Sequence, residues 1–179
     1  MHRRQPLPRL WLMTDERQGE ALWTALHRLP RGVGIVFRHY GLPPGERRKL
    51  FRAVRARAKK GGLTLILAGT AEEAASLGAD GFHNRQHARA RPRLIHTAPA
   101  HSLREIRSAE RSGADLIFLS PVFPTRSHPG QKALGPLRFM LLARQARVPV
   151  VALGGMDARR ARKLRDAIYG WAGIDAWSR

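Results

Sequence analysis

The chain has 179 residues, 43% of them hydrophobic, no cysteine and a formal net charge of +20. That length suits one domain with a sizeable core, and the lack of thiols excludes disulfides and cysteine-based metal sites. A charge so large attracts phosphates, nucleic acid or anionic surfaces.

The basic residues are mostly arginine and recur in every helical stretch, as in Arg47-Arg48-Lys49, Arg55 to Lys60 and Arg159 to Arg165. They are not interleaved with aromatics in the manner of single-strand binders. The expectation is therefore of solvated helix faces, with nucleic acid not the partner. Met1-His2-Arg3-Arg4 is basic, but a proline-broken stretch follows it where a signal peptide would be apolar. No apolar run approaches the ~20 residues of a membrane span. A cytoplasmic protein without membrane attachment is expected.

In chain order, short β-branched or leucine-rich runs predict strands at Leu10–Met13, Gly34–Phe37, Leu63–Leu67, Gly81–His83, Leu94–His96, Leu116–Leu119, Val150–Leu153 and Trp171–Ile174. Helical patterns fall at Gly19–Arg28, Pro44–Lys59, Ala71–Leu77, Leu103–Ser112, Leu137–Gln145 and Asp157–Ala167. The interval Asn84 to Pro92 has room for no more than a turn of helix. Alternating strands and helices require parallel strands with right-handed crossovers, and continuous apolar strands fit a sheet covered on both faces.

The fold class expected is α/β, a small (βα)8 TIM barrel forming one domain over residues 1–179. An open doubly wound sheet is the alternative, but Thr14-Asp15-Glu16-Arg17 stands where its glycine-rich turn would be. Arg179 follows the last strand by only about five residues, so the final helix is expected to be absent. The seam this leaves near Trp171 and Trp177 would either support a homo-oligomer or be covered by Pro6–Arg9.

Active-site residues of such barrels follow the strands. Those positions hold Asp15, Arg38-His39-Tyr40, Ala68-Gly69, Asn84-Arg85-Gln86, Thr97, Ser120 to His128, Gly154-Gly155 and Asp175. In the loop from Ser120, Thr125 and Ser127 offer hydroxyls, and Arg126 and His128 offer charge for an anion. Gly154-Gly155 between a strand and a helix lets backbone N–H groups approach a phosphate; it is also an ordinary tight turn. His39 or His128 could serve as acid/base or phosphate contact, whereas His83 and His96 read as near-core residues.

The segments "GADLIFLSPVFPTRSHPG" and "VPVVALGGM", with "LWLMTD" and "GADGFHNRQ" before them, resemble motifs of the thiamine phosphate synthase/TenI family in order and spacing over residues 10 to 175. The family's synthase joins a pyrimidine diphosphate to a thiazole phosphate with magnesium, in thiamine biosynthesis. The resemblance implies a phosphorylated small molecule as partner and a transferase activity if the site is intact. It places Arg38 facing the diphosphate, and the catalytic positions expected are Arg38, Ser120 and His128. Substrate and phosphate contacts would come from Thr125, Ser127, Gly154, Gly155 and Gln86.

The chain also departs from that pattern. The family's Gln-Leu-Arg-x-Lys is Val36-Phe37-Arg38-His39-Tyr40, its Asn-Asp after the third strand is Leu67-Ala68, and Ala88 stands near the place of the second magnesium aspartate. Magnesium is thus implied by resemblance while its carboxylate ligands are missing. The loop lysine is His128, the serine after the eighth strand is Asp175, and the tautomerase histidine is Pro121. Three readings follow: a synthase-like enzyme with degraded or altered activity, a divergent non-catalytic or isomerase-like binder of a phosphorylated heterocycle, and a basic nucleic-acid-binding barrel.

Overall fold

A computed structural model describes residues 6–85, 94–125, 130 and 132–177, with only the backbone of Asp175. Eight parallel strands form a closed barrel in sequence order: β1 (Leu10–Met13), β2 (Gly34–Phe37), β3 (Thr64–Ala68), β4 (Gly81–His83), β5 (Ile95–Ala100), β6 (Leu116–Leu119), β7 (Val150–Ala152) and β8 (Gly170–Gly173). The ring closes where Leu10, Trp11 and Leu12 pair with Trp171, Ala172 and Gly173. Around it lie α1 (Ala21–Arg28), α2 (Pro44–Gly61), α3 (Ala71–Leu77), α4 (Leu103–Arg111), α5 (Pro136–Ala143) and α6 (Ala158–Leu164). Among the described residues no helix is long and apolar enough to cross a membrane.

Strand side chains alternate between two buried layers, as the period of two requires. Trp11, Met13, Val36, Ile66, Leu116, Phe118 and Val151 fill the barrel. Leu12, Ile35, Phe37 and Leu65 face outward onto Leu22, Leu26, Phe51 and Val54 of the helices. Trp11 dominates the lower interior, its indole N–H donating to Pro8 O at 2.8 Å and its ring set edge-on to Phe118. Gly34 makes room for it: a Cβ there would lie 2.2 Å from the indole.

Two Gly-Ala-Asp segments finish the bottom of the barrel in the same way. Gly78 and Gly113 follow α3 and α4, and the aspartates bond back to the preceding strand. Asp80 Oδ2 accepts from Leu65 N and Asp115 Oδ2 from His96 N, each at 2.8 Å. Both carboxylates therefore stand at strand N-termini, away from the mouth.

After β8 comes one 3-10 turn, Asp175–Trp177. Trp177 stacks on Trp171 with centroids 5.3 Å apart and donates to Trp11 O at 3.1 Å, so it covers the outer face of β8. The N-terminal segment takes a different place from the one considered for it. Arg9 O accepts from Trp171 N and Leu7 packs on the interior layer, which closes the barrel's base.

β5 differs most from expectation, running to Ala100 through Pro99. Ile95 and Thr97 direct their backbone groups to the β4 side, and His96 and Ala100 to β6. Pro99 continues the first set, but β4 pairing stops at His83↔Thr97. Its missing N–H costs no ladder bond, so proline does not end the strand. Thr97 consequently lies inside the barrel and does not follow the strand.

The Gly34→Ala variant should lose about 1–3 kcal/mol of stability, the usual cost of overpacking a rigid core. Urea unfolding measures it; unchanged stability would show that Trp11 can move aside.

Candidate active site

The strand C-termini surround a cavity of about 340 Å³. Arg38, His101, Ser120, Thr125, Gly154 and Gly155 border it, over a floor that includes Met13 and His83. Five residues singled out from sequence, Arg38, Ser120, Thr125, Gly154 and Gly155, thus meet around one space. Gln86, Ser127 and His128 lie outside the described residues.

On the β1–β2 side, Asp15 is the organising group. Its carboxylate accepts from Arg17 N at 3.1 Å, Arg17 Nε at 2.7 Å, Arg17 Nη2 at 3.1 Å and Arg38 Nη2 at 3.0 Å. Hydrogen bonding from Arg17, with Arg38 adding to it, holds the carboxyl below its ordinary range despite partial burial. Arg38 also donates from Nε to Thr14 O at 2.8 Å. Arg47 of α2 reaches over this edge, donating to Arg38 O, to Ala68 O at 2.6 Å and to Glu73 at 2.9 Å. It ties the ends of β2 and β3 together.

His39 does not reach the cavity. It is 5% exposed, stacks on Phe37 at 4.8 Å and shares a hydrogen bond with Thr14 Oγ1 at 2.9 Å. Burial lowers its pKa. It supports the β1–β2 edge instead of acting as the acid/base group considered above. His96 stacks on Phe82 in the outer layer. His83 borders the cavity from inside, bonded to Thr97 Oγ1 at 3.0 Å, and burial pushes it down to about 3.

On the β5–β6 side His101, absent from the sequence expectations, enters the site. Its backbone N–H donates to Glu105 at 2.6 Å, which pins the turn before α4. Its Nδ1 lies 2.8 Å from Ser120 O and 3.3 Å from Ser120 Oγ. A carbonyl oxygen only accepts, so Nδ1 carries the hydrogen that meets Ser120 O. The signal is its place after β5, hidden because that strand was expected to end at His96.

Gly154 and Gly155 have φ of 93° and 60°, a region that favours glycine. A Cβ at Gly154 would meet Pro121 at 2.6 Å, and one at Gly155 would meet Pro124 O at 2.7 Å. The pair is therefore required by packing against the loop after β6. Among the described residues neither glycine N–H has a backbone acceptor.

Magnesium can be tested against the described carboxylates, which are those of the chain apart from the Asp175 side chain. Asp80 and Asp115 are at the base, and Asp157 caps α6. Glu73 and Glu110 pair with Arg47 and Arg107, while Glu105 holds the His101 turn. No described cavity-lining side chain is a carboxylate, and Asp15 beside it is filled by arginine donors. Among the described residues no three His, Asp or Glu gather as a metal site. Magnesium needs hard oxygen ligands, and the described side chains do not fit it.

Fold and mouth together define a (βα)8 barrel with a polar, cation-bearing opening at the strand C-termini. Residues 10–176 match the model of the thiamine monophosphate synthase family, and the chain belongs to that family. It is 35% identical over 94% of its length to "Putative thiamine-phosphate synthase 2" of Aquifex aeolicus, covering 96% of that protein. It is 35% identical to a thiamine-phosphate synthase of Bacillus licheniformis, covering 80% of this chain and 70% of that one. A solved thiamine phosphate pyrophosphorylase from Pyrococcus furiosus superposes with a TM-score of 0.74 at 25% identity, over 95% of this chain and 86% of the other. 3-Hexulose-6-phosphate synthase, at 14% identity and TM-score 0.67, shares the fold.

His83 makes stability pH-dependent. Its folded value, about 3, lies below the ordinary ~6.5 of an unfolded histidine. The unfolded chain therefore binds the proton first, and stability present above pH ~6.5 declines as pH falls toward 3. His39 and His96, also lowered, act in the same direction. In His83→Gln the decline should be shallower by up to about 1.4 kcal/mol per pH unit. Urea unfolding at pH 7 and 5 measures the difference; equal slopes would contradict a neutral His83.

Proposed function

We propose that this chain serves thiamine biosynthesis by binding a phosphorylated heterocycle of the thiazole phosphate class. The coupling of a pyrimidine diphosphate to that heterocycle is proposed to be much reduced. The observation that carries this reading is the cavity itself, which retains the anion-facing groups while lacking described carboxylates. In this reading residues 1–179 act as one cytoplasmic domain, with nucleic acid not a partner.

The phosphate would rest on the N–H groups of Gly154 and Gly155 and on the Thr125 hydroxyl, the side of the mouth the resemblance assigns to it. Met13, Leu153 and Ile174 offer apolar surface for the ring. His101 Nε2 can take a proton from a bound group, and the Ser120 hydroxyl can donate to one. Ser127, His128 and Gln86 keep the roles the resemblance gives them. A metal acting on a leaving diphosphate supplies several kcal/mol of charge stabilisation.

Coupling, assayed with both precursors and magnesium, should run about 100-fold or more below an authentic synthase measured alongside. Calorimetry should show thiazole phosphate binding, weakened about tenfold or more by Gly155→Ala, which loses both the φ and the clearance that the turn needs. Coupling at the authentic rate would overturn the loss of activity. Failure of thiazole phosphate to bind would overturn the substrate class.

A further inference from the structure

We propose that the β1–β2 side of the mouth binds a phosphate or diphosphate group without a divalent cation, through Arg38 held in position by Asp15. The proposal rests on the reading above that the mouth takes a phosphorylated ligand, and it specifies how the charge of that ligand is met.

The first support is the saturation of Asp15. Oδ1 accepts Arg17 N and Nε, and Oδ2 accepts Arg17 Nη2 and Arg38 Nη2. A cation approaching these oxygens would have to displace two guanidinium groups. The backbone contact is part of the Asp15 cap on the 3-10 turn Glu16–Gln18, so displacement would also release the turn after β1.

The second support is the orientation of Arg38. Its side chain is 17% exposed and fixed from two directions, Nε on Thr14 O and Nη2 on Asp15. Its own N–H donates to Thr14 Oγ1 at 3.0 Å. Among the described residues Nη1 has no hydrogen-bond partner, and the residue borders the cavity. A guanidinium stays charged even when partly buried and presents a planar fork suited to phosphate oxygens. Here that fork is already set before the ligand arrives.

The third support is Arg47 at the end of β3, where the chain has Leu67-Ala68. Its guanidinium lies on Ala68 O and Arg38 O. The neighbouring charges are Arg17, Arg38 and Arg47 against Asp15, Glu16 and Glu73. Glu73 is paired with Arg47, and Glu16 accepts from Gly41 N at 2.6 Å. Each carboxylate of the set thus already accepts from a donor, and among the described residues Arg38 Nη1 keeps its donors for an anion.

Asp15 is thus a positioning residue and Arg38 the contact. The test titrates inorganic pyrophosphate into the full chain by calorimetry, in excess EDTA and again in millimolar magnesium. Manganese paramagnetic resonance follows metal binding independently. The dissociation constant should agree between the buffers within about twofold, and manganese should remain free, because no ligand set among the described residues holds it. Arg38→Gln should weaken pyrophosphate about tenfold or more in both buffers. Asp15→Asn should weaken it less, by about three- to tenfold, with circular dichroism confirming the fold of each variant.

Tightening by magnesium of tenfold or more, manganese bound by the wild type and lost in Asp15→Asn, or no pyrophosphate binding in either buffer would each overturn the proposal. Metal-free pyrophosphate binding without thiazole phosphate binding would retain it and remove the assigned heterocycle. Thiazole phosphate binding with magnesium-dependent pyrophosphate binding would do the reverse.

Discussion

The carboxylate of Asp15 sits between two guanidinium groups, and the rest of the mouth is arranged around that engagement. Through Arg17 it caps the turn that follows β1. Through Arg38 it couples the end of β1 to the end of β2, a link reinforced by Thr14 O and Thr14 Oγ1. Arg47 then extends the same edge to β3. A carboxylate committed in this way neutralises and orients arginine, and a positioned arginine is a ligand for anions. The pair therefore gives the mouth its chemical character.

On the opposite side of the cavity the described contacts run through backbone groups, with Glu105 accepting from His101 N and Arg160 donating to Gly155 O. His101 is positioned by the carbonyl of Ser120 just after β6, and the Gly154-Gly155 turn is pressed against the same loop. Beneath both, the base is devoted to packing, with Trp11 in the space opened by Gly34 and two aspartates tied to strand starts. This separation matches the general division of such barrels, in which chemistry occupies the C-terminal face and stability the N-terminal one. Membership of the thiamine monophosphate synthase family accounts for the scaffold.

Much of this was legible in the sequence, for physical reasons. Leu10–Met13, Gly34–Phe37, Gly81–His83 and Leu116–Leu119 form strands within the expected bounds, because apolar runs flanked by glycine or polar turns have few other ways to be buried. Arg38, Ser120, Thr125 and the two glycines were found together because strand ends converge in a barrel. The limits were equally specific. The fifth strand was expected to stop at His96, and only the pairing shows that it runs to Ala100 through Pro99, whose missing N–H faces a strand already finished. Position alone also could not separate His39, folded back on Phe37 and Thr14, from His101, which borders the cavity. That Asp15 is engaged by Arg17 and Arg38 depends on two strand ends meeting, which no local pattern records.

The central claim is that an arginine fixed by Asp15 stands where a metal-bound mouth would need free carboxylates. A crystal structure of the protein grown with thiazole phosphate and manganese, with anomalous data collected for the metal, tests it most directly. The account predicts the phosphate in the mouth, Arg38 still bonded to Asp15, and no manganese peak within bonding distance of Asp15 or Asp175. A manganese ion coordinated by either carboxylate, with Arg38 turned away, would contradict it.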